Sequence, residues 1–105
     1  MNAIRLTMMV AYALLVPGTV LPAQAAELTF HCVNQASHAS WMLKVDPAKS
    51  TADGFPATIS TASIAWRDPV RGGNYLLDRA SGALTFSNAS SMGGYMLFHR
   101  CQQVK

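Results

Sequence analysis

Charge is scarce in this chain of 105 residues, and that scarcity narrows its function more than any motif does. Eight basic and five acidic side chains make up 12% of it, at a formal net charge of +3. They are interspersed, with no basic or acidic run, so neither nucleic acid nor an anionic membrane surface is an expected partner. Long apolar runs are missing too. A membrane-spanning helix needs about 20 apolar residues without a breaker, whereas the apolar stretch over residues 6–16 ends at Pro17-Gly18. Cysteine occurs twice, at Cys32 and Cys101, without the short knuckle loops of zinc sites. No nucleophile-elbow motif and no long amphipathic helix can be read anywhere in the chain.

What is present begins with an export signal. Arg5 supplies a positive charge, residues 6–16 an apolar segment, and Ala23-Gln24-Ala25 a small-x-small cleavage site. That order predicts a cleaved signal peptide over residues 1–25 and one small domain over residues 26–105. Ala26-Glu27-Leu28 offers no cysteine for a lipid anchor, so no stable membrane insertion is expected after cleavage. The mature segment keeps seven basic and five acidic residues, a net charge of +2. A domain of this length has a marginal core without help. Cys32 and Cys101, near its two ends, are expected to pair in an oxidising compartment, periplasmic or extracellular, and so to tie the domain into one loop.

Short apolar segments separated by Gly, Pro, Asn, Asp and Ser predict strands and turns. In residues 28–33, Leu28, Phe30 and Cys32 share a face opposite Thr29 and His31. In residues 40–45, Trp41, Leu43 and Val45 stand opposite Met42 and Lys44. Residues 48–56 read as a loop or short edge, and residues 57–67 as a strand whose parity changes between Ile59 and Ile64, with a bulge or break near residues 61–63. Ala80-Ser81-Gly82, between residues 75–79 and 83–87, is the clearest hairpin turn. Residues 88–94 read as a small-residue loop and residues 95–101 as the last strand. The fold class is therefore all-β: a small antiparallel meander of five or six strands closing into a barrel or half-barrel with one disulfide, a two-layer sandwich being the competitor.

Candidate chemistry is thin. His31 and Cys32 point to opposite faces of one strand while His99 shares a face with Cys101, so these four side chains do not readily converge on a metal. Met42, Met92 and Met96 read as core filler. Asp68 belongs to a turn before Pro69, and Asp78 sits beside Arg79 on a hairpin strand. Asn88-Ala89-Ser90 matches a glycosylation pattern that would be accidental in a bacterial export substrate. No catalytic residue, cofactor or metal site is expected. The aromatic and basic material around Phe55, Trp66, Arg67, Arg71 and Tyr75 is of the kind found at interfaces, although Trp66 alternates in phase with Ile64 and reads as core. A binding loop drawn from Ser81, Gly82, Arg67 and Arg71 is the candidate site.

The segment from Tyr75 to Phe86, YLLDRASGALTF, preceded by an Ile-x-Trp strand and enclosed by early and late cysteines, resembles small exported bacterial proteins of unknown function. Ser81-Gly82-Ala83-Leu84 is more distantly similar to the Ser-Gly-x-x-Tyr loop of periplasmic inhibitors of C-type lysozyme, with Thr85 in place of the tyrosine. The first resemblance implies an exported domain without assigned activity, the second a lysozyme-type hydrolase inhibitor acting through its Ser-Gly loop. The expected function is binding, not catalysis, of an unknown protein or small-molecule partner. A hydrolase inhibitor and a periplasmic metal-handling protein are the alternatives.

Overall fold

The computed structural model describes residues 26–90 and 92–105; the expected signal peptide lies outside the described residues. Eight antiparallel strands follow one another in sequence order around a closed barrel: β1 (Leu28–Asn34), β2 (Ser40–Asp46), β3 (Thr51–Ala52), β4 (Phe55–Ile59), β5 (Ser63–Asp68), β6 (Gly73–Asp78), β7 (Ala83–Ser90) and β8 (Gly93–Gln103). The all-β disulfide-bonded meander is as expected, and the sandwich is not formed. Strand count exceeds the expected five or six because three short connections hide in segments that read otherwise. Residues 48–56 contain β3 and the start of β4. The parity change between Ile59 and Ile64 is a hairpin turn, not a bulge, with Ile59 and Ile64 directly paired. Within the expected loop over residues 88–94, residues 88–90 and 93–94 are strand, paired as far as Ser90 with Gly93.

Four of the turns share one local cause. At four strand ends an Asx side chain folds back to accept the N–H groups two and three residues on: Asn34 from Ala36 and Ser37, Asp46 from Ala48 and Lys49, Asp68 from Val70 and Arg71, Asp78 from Ala80 and Ser81. Such a side chain satisfies the first donors of a turn and so stops a strand from continuing. Four residues after each Asx the backbone turns left-handed, at His38, Ser50, Gly72 and Gly82. Ser60 plays the Asx part between β4 and β5, accepting from Ala62 and Ser63. Repeated five-residue turns of this kind reverse the chain within the right-handed twist of a sheet, which lets a meander curl until it closes.

Closure comes from β1 and β8, paired from Phe30–Gln103 to Asn34–His99, with Cys32 directly opposite Cys101 and disulfide-bonded to it. The seam of the barrel is therefore latched covalently. Such a bond in a small β domain is the kind that persists in an oxidising compartment. Inward residues form one core of Phe30, Cys32, Leu43, Val45, Ala52, Ile64, Trp66, Tyr75, Leu77, Leu84, Phe86 and Cys101. Trp66 is core, as its phase with Ile64 predicts, and Tyr75 stacks on it at 4.7 Å. The methionines are not core filler: Met42 and Met96 are about half exposed and Met92 is nearly fully so. Met42 lies on the outer side of β2, out of phase with Leu43 and Val45. Phe55 is not on a loop; it lies in β4, half-buried against the core.

Gly82 shows how tightly one of these turns is built. Its φ is +82°, its carbonyl accepts the Cys101 N–H at 2.7 Å, and a Cβ there would run into the Cys101 carbonyl oxygen. Alanine would combine a left-handed backbone with a backbone collision, and Gly82→Ala is expected to cost about 2 kcal/mol or more in urea unfolding. A cost below about 0.5 kcal/mol, ordinary for a surface change, would show that the turn yields freely.

Candidate functional site

The two turns that contribute the expected binding loop lie at opposite ends of the barrel. Arg71 stands in the turn before β6 and Ser81-Gly82 in the turn after it, so the six residues of β6, roughly 17 Å of strand, separate them. Arg67 lies on β5, exposed on the outer wall opposite Asn74. Ser81 is engaged within its own turn: its Oγ accepts the Ala83 N–H at 3.1 Å and its carbonyl accepts from the Arg100 guanidinium at 3.0 Å. A cleft of about 430 Å³ opens beside it, lined by Phe30, Leu77, Arg79 and Gln102 among others. The structure brings together Ser81 and Gly82, but places Arg67 on the outer wall and Arg71 at the opposite end of the barrel from them.

Arg71 instead belongs to a site that sequence reasoning did not assemble. At the end of the barrel bearing the turns after β1, β3 and β5, a cavity of about 460 Å³ is lined by Trp41, Tyr75, Leu97, His99, Asp53, Asp68 and Arg71, with Asn34, Ser37 and Ser40 at its rim. Trp41 enters from the start of β2, Tyr75 from β6 and His99 from β8, each inward by strand alternation. Tyr75 is the hub of the aromatic wall, with the Trp66, Phe86, Trp41 and His99 rings at 4.7, 4.8, 6.0 and 6.5 Å. His99 meets Trp41 edge-on at 5.7 Å, and the Trp41 Nε1–H donates to His99 Nδ1 at 3.5 Å. With Nδ1 accepting, the neutral imidazole carries its proton on Nε2. That Nε2 is buried and has no hydrogen-bond partner among the described residues, and the same holds for Trp66 Nε1.

Charge collects at the same mouth. Asp68 is buried: its Oδ1 accepts from Val70 and Arg71, and its Oδ2 lies 3.7 Å from Arg71 Nε. Asn88 on β7 fixes this turn from the side, donating to the carbonyls of Arg71 and Gly72 at 3.2 and 3.0 Å. The asparagine of the glycosylation pattern is thus occupied in holding Arg71. Asp53 stands on the β3–β4 turn with φ +52°. Desolvation raises its carboxyl above the usual range, Asp68 adds repulsion, and Arg71 partly offsets both. Desolvation likewise pushes the Tyr75 phenol up, against Arg71, with Asp68, Asp53 and Tyr95 acting in the same upward sense. Burial, and then Arg71, lowers the His99 imidazole. All three displaced groups line this one cavity, a concentration typical of functional clefts.

The depressed His99 makes stability pH-dependent in a defined direction. The folded protein holds His99 neutral, while the unfolded chain takes up a proton as pH falls through about 6.5. Its contribution is therefore complete above that value and lost as pH falls through it toward the folded-state value. Asp53 acts with the opposite sign in the carboxylate range, where its contribution present in acid is lost as pH rises. Acidification from about pH 7.5 to about pH 5.5 is expected to lower the melting temperature, and His99→Gln to flatten that slope. A slope unchanged in His99→Gln would contradict a buried neutral His99.

His31 is exposed outside the barrel, His99 is inside it, and Cys32 and Cys101 are bonded to each other, so the four side chains form no cluster. The signals that sequence reasoning could have used are the parity placing His99 with Cys101 and the turn dipeptide Asp53-Gly54; neither says that the two meet. No protein-family model, curated protein or solved structure matches the chain. Function therefore rests on the chemistry of the site itself.

Proposed function

We propose that the protein is an exported binding domain, periplasmic or secreted, that takes a small polar partner into the open mouth of its barrel and performs no catalysis. The observation that carries this reading is the mouth itself: an aromatic wall and three charged side chains around one cavity. Cavities of about 300–1,000 Å³ with an apolar lining and a few convergent polar groups are the usual form of small-molecule sites. Binding fits better than catalysis because His99, the natural proton carrier, has one nitrogen engaged by Trp41 and the other buried. The export reading is supported by the disulfide and by the signal pattern of residues 1–25.

A thermal-shift screen of small polar compounds against the protein and two variants tests this. A true ligand at about 100 times its dissociation constant adds roughly 2.7 kcal/mol, which raises the melting temperature by on the order of 10 °C in a domain of this size. The shift is expected to shrink in Arg71→Ala and persist in Ser81→Ala. The reverse pattern would move the site to the turn at the other end and favour the inhibitor reading.

A further inference from the structure

We propose that the mouth binds a neutral saccharide, with a sugar ring laid against Trp41 and its hydroxyls held between Asp53 and Arg71. This rests on the reading of the mouth as a binding site and names the class of ligand it takes. Trp41 is half-buried and braced from behind by Tyr75 and by the edge of His99, so the indole is a wall already in position. Holding an aromatic side chain in place before the ligand arrives lowers the ordering cost of binding.

The rim around that wall alternates donors and acceptors. Asn34 spends its Oδ1 on two turn N–H groups, which leaves its amide NH₂ as a donor. Ser37, whose Oγ accepts the Ala39 N–H, keeps its hydroxyl proton to donate, Asp53 accepts and Arg71 donates. Charge then selects among ligand classes. With His99 neutral, Asp53 and Asp68 against Arg71 leave a net charge of −1. An anion meets two carboxylates, and a cation meets Arg71 and leaves the rim donors without acceptors. A polyol donates to Asp53, accepts from Arg71 and Asn34, and presents a C–H face to the indole. Among the three classes it alone offers a partner to every rim donor and acceptor, with the Asp53 carboxylate hydrogen-bonded by hydroxyls and not neutralised.

The test is a titration of the full exported chain with glucose, N-acetylglucosamine and cellobiose, followed by two-dimensional amide and indole NMR. Tetramethylammonium chloride and sodium acetate serve as cationic and anionic comparators. A saturable shift of the Trp41 indole with at least one sugar is expected, at a dissociation constant on the order of 1 mM for a ligand of that size. Asp53→Asn should weaken it about 10-fold. Asparagine tolerates the left-handed backbone at this position, so that variant keeps the fold. Trp41→Ala should abolish the saturable amide shifts of Asp53 and Arg71 that accompany sugar binding, and Asp53→Asn covers the case in which the Trp41 variant unfolds. Saturable binding of tetramethylammonium or acetate at the mouth, without any sugar, would overturn the ligand class and leave the binding site standing. No response of the mouth to any probe would overturn both. A sugar shift unchanged in Asp53→Asn would overturn the placement between Asp53 and Arg71.

Discussion

Replacing Cys32 and Cys101 together by alanine is expected to lower the unfolding free energy by roughly 4 kcal/mol. The two cysteines are 69 residues apart in sequence, so their bond closes nearly the whole domain into one loop and strongly restricts the unfolded chain. A domain of this size has a total stability of only about 4–12 kcal/mol, so the variant should sit near its unfolding midpoint under mild conditions. The corresponding fall in melting temperature is roughly 15–30 °C. The bond also lies at the seam of the barrel, where β1 and β8 close it. Far-UV circular dichroism melts with and without reductant, on protein and double variant, check this. Equal melting temperatures would mean that hydrogen-bonded closure of β1 on β8 suffices and that the disulfide is incidental.

Phe86→Ala should cost about 3–5 kcal/mol, the range for emptying an aromatic site in a close-packed core. Phe86 is fully buried in the middle of β7, with the Tyr75 and Tyr95 rings at 4.8 and 5.9 Å. Across the sheet it pairs with Tyr75 on one side and Leu97 on the other. Gly73 lies so close that any Cβ there would collide with the Phe86 ring, so backbone and ring are fitted to one another. Loss of the ring removes support from Tyr75, the hub of the mouth, and ligand affinity should fall along with stability. Thr58→Ala, on the exposed side of β4, is the control and should stay within about 0.5 kcal/mol. Urea unfolding of the two variants separates these outcomes. A cost for Phe86→Ala no larger than that of the control would contradict the single packed core.

Strand parity was legible in the sequence because inward and outward side chains alternate whatever the neighbours do. It places Phe30 with Cys32, Leu43 with Val45, Ile64 with Trp66, and His99 with Cys101. Met42 illustrates the limit: its phase put it outside while its apolar character put it in the core, and phase decided. Strand number was harder, since a bulge and a three-residue hairpin both change parity. The residues of the turn over 60–62 carry no glycine or proline to tell them apart. The mouth was not legible at all. Asp53, Arg71 and His99 come from three distant segments, and only closure of β8 on β1 brings them to one cavity. The Ser81-Gly82 pair is a binding candidate in the sequence only through its likeness to the Ser-Gly-x-x-Tyr loop, and in the structure its glycine is fixed by the approach of the Cys101 backbone.

Amide NMR mapping with a fixed panel of saccharides, amino acids, alkylammonium salts and carboxylates tests most directly whether the mouth is the working surface. Saturable shifts are expected for the Trp41 indole and for Asp53, Arg71 and His99 together, with the turn carrying Ser81 and Gly82 unmoved. Saturable shifts confined to that turn, with the mouth silent, would contradict the account.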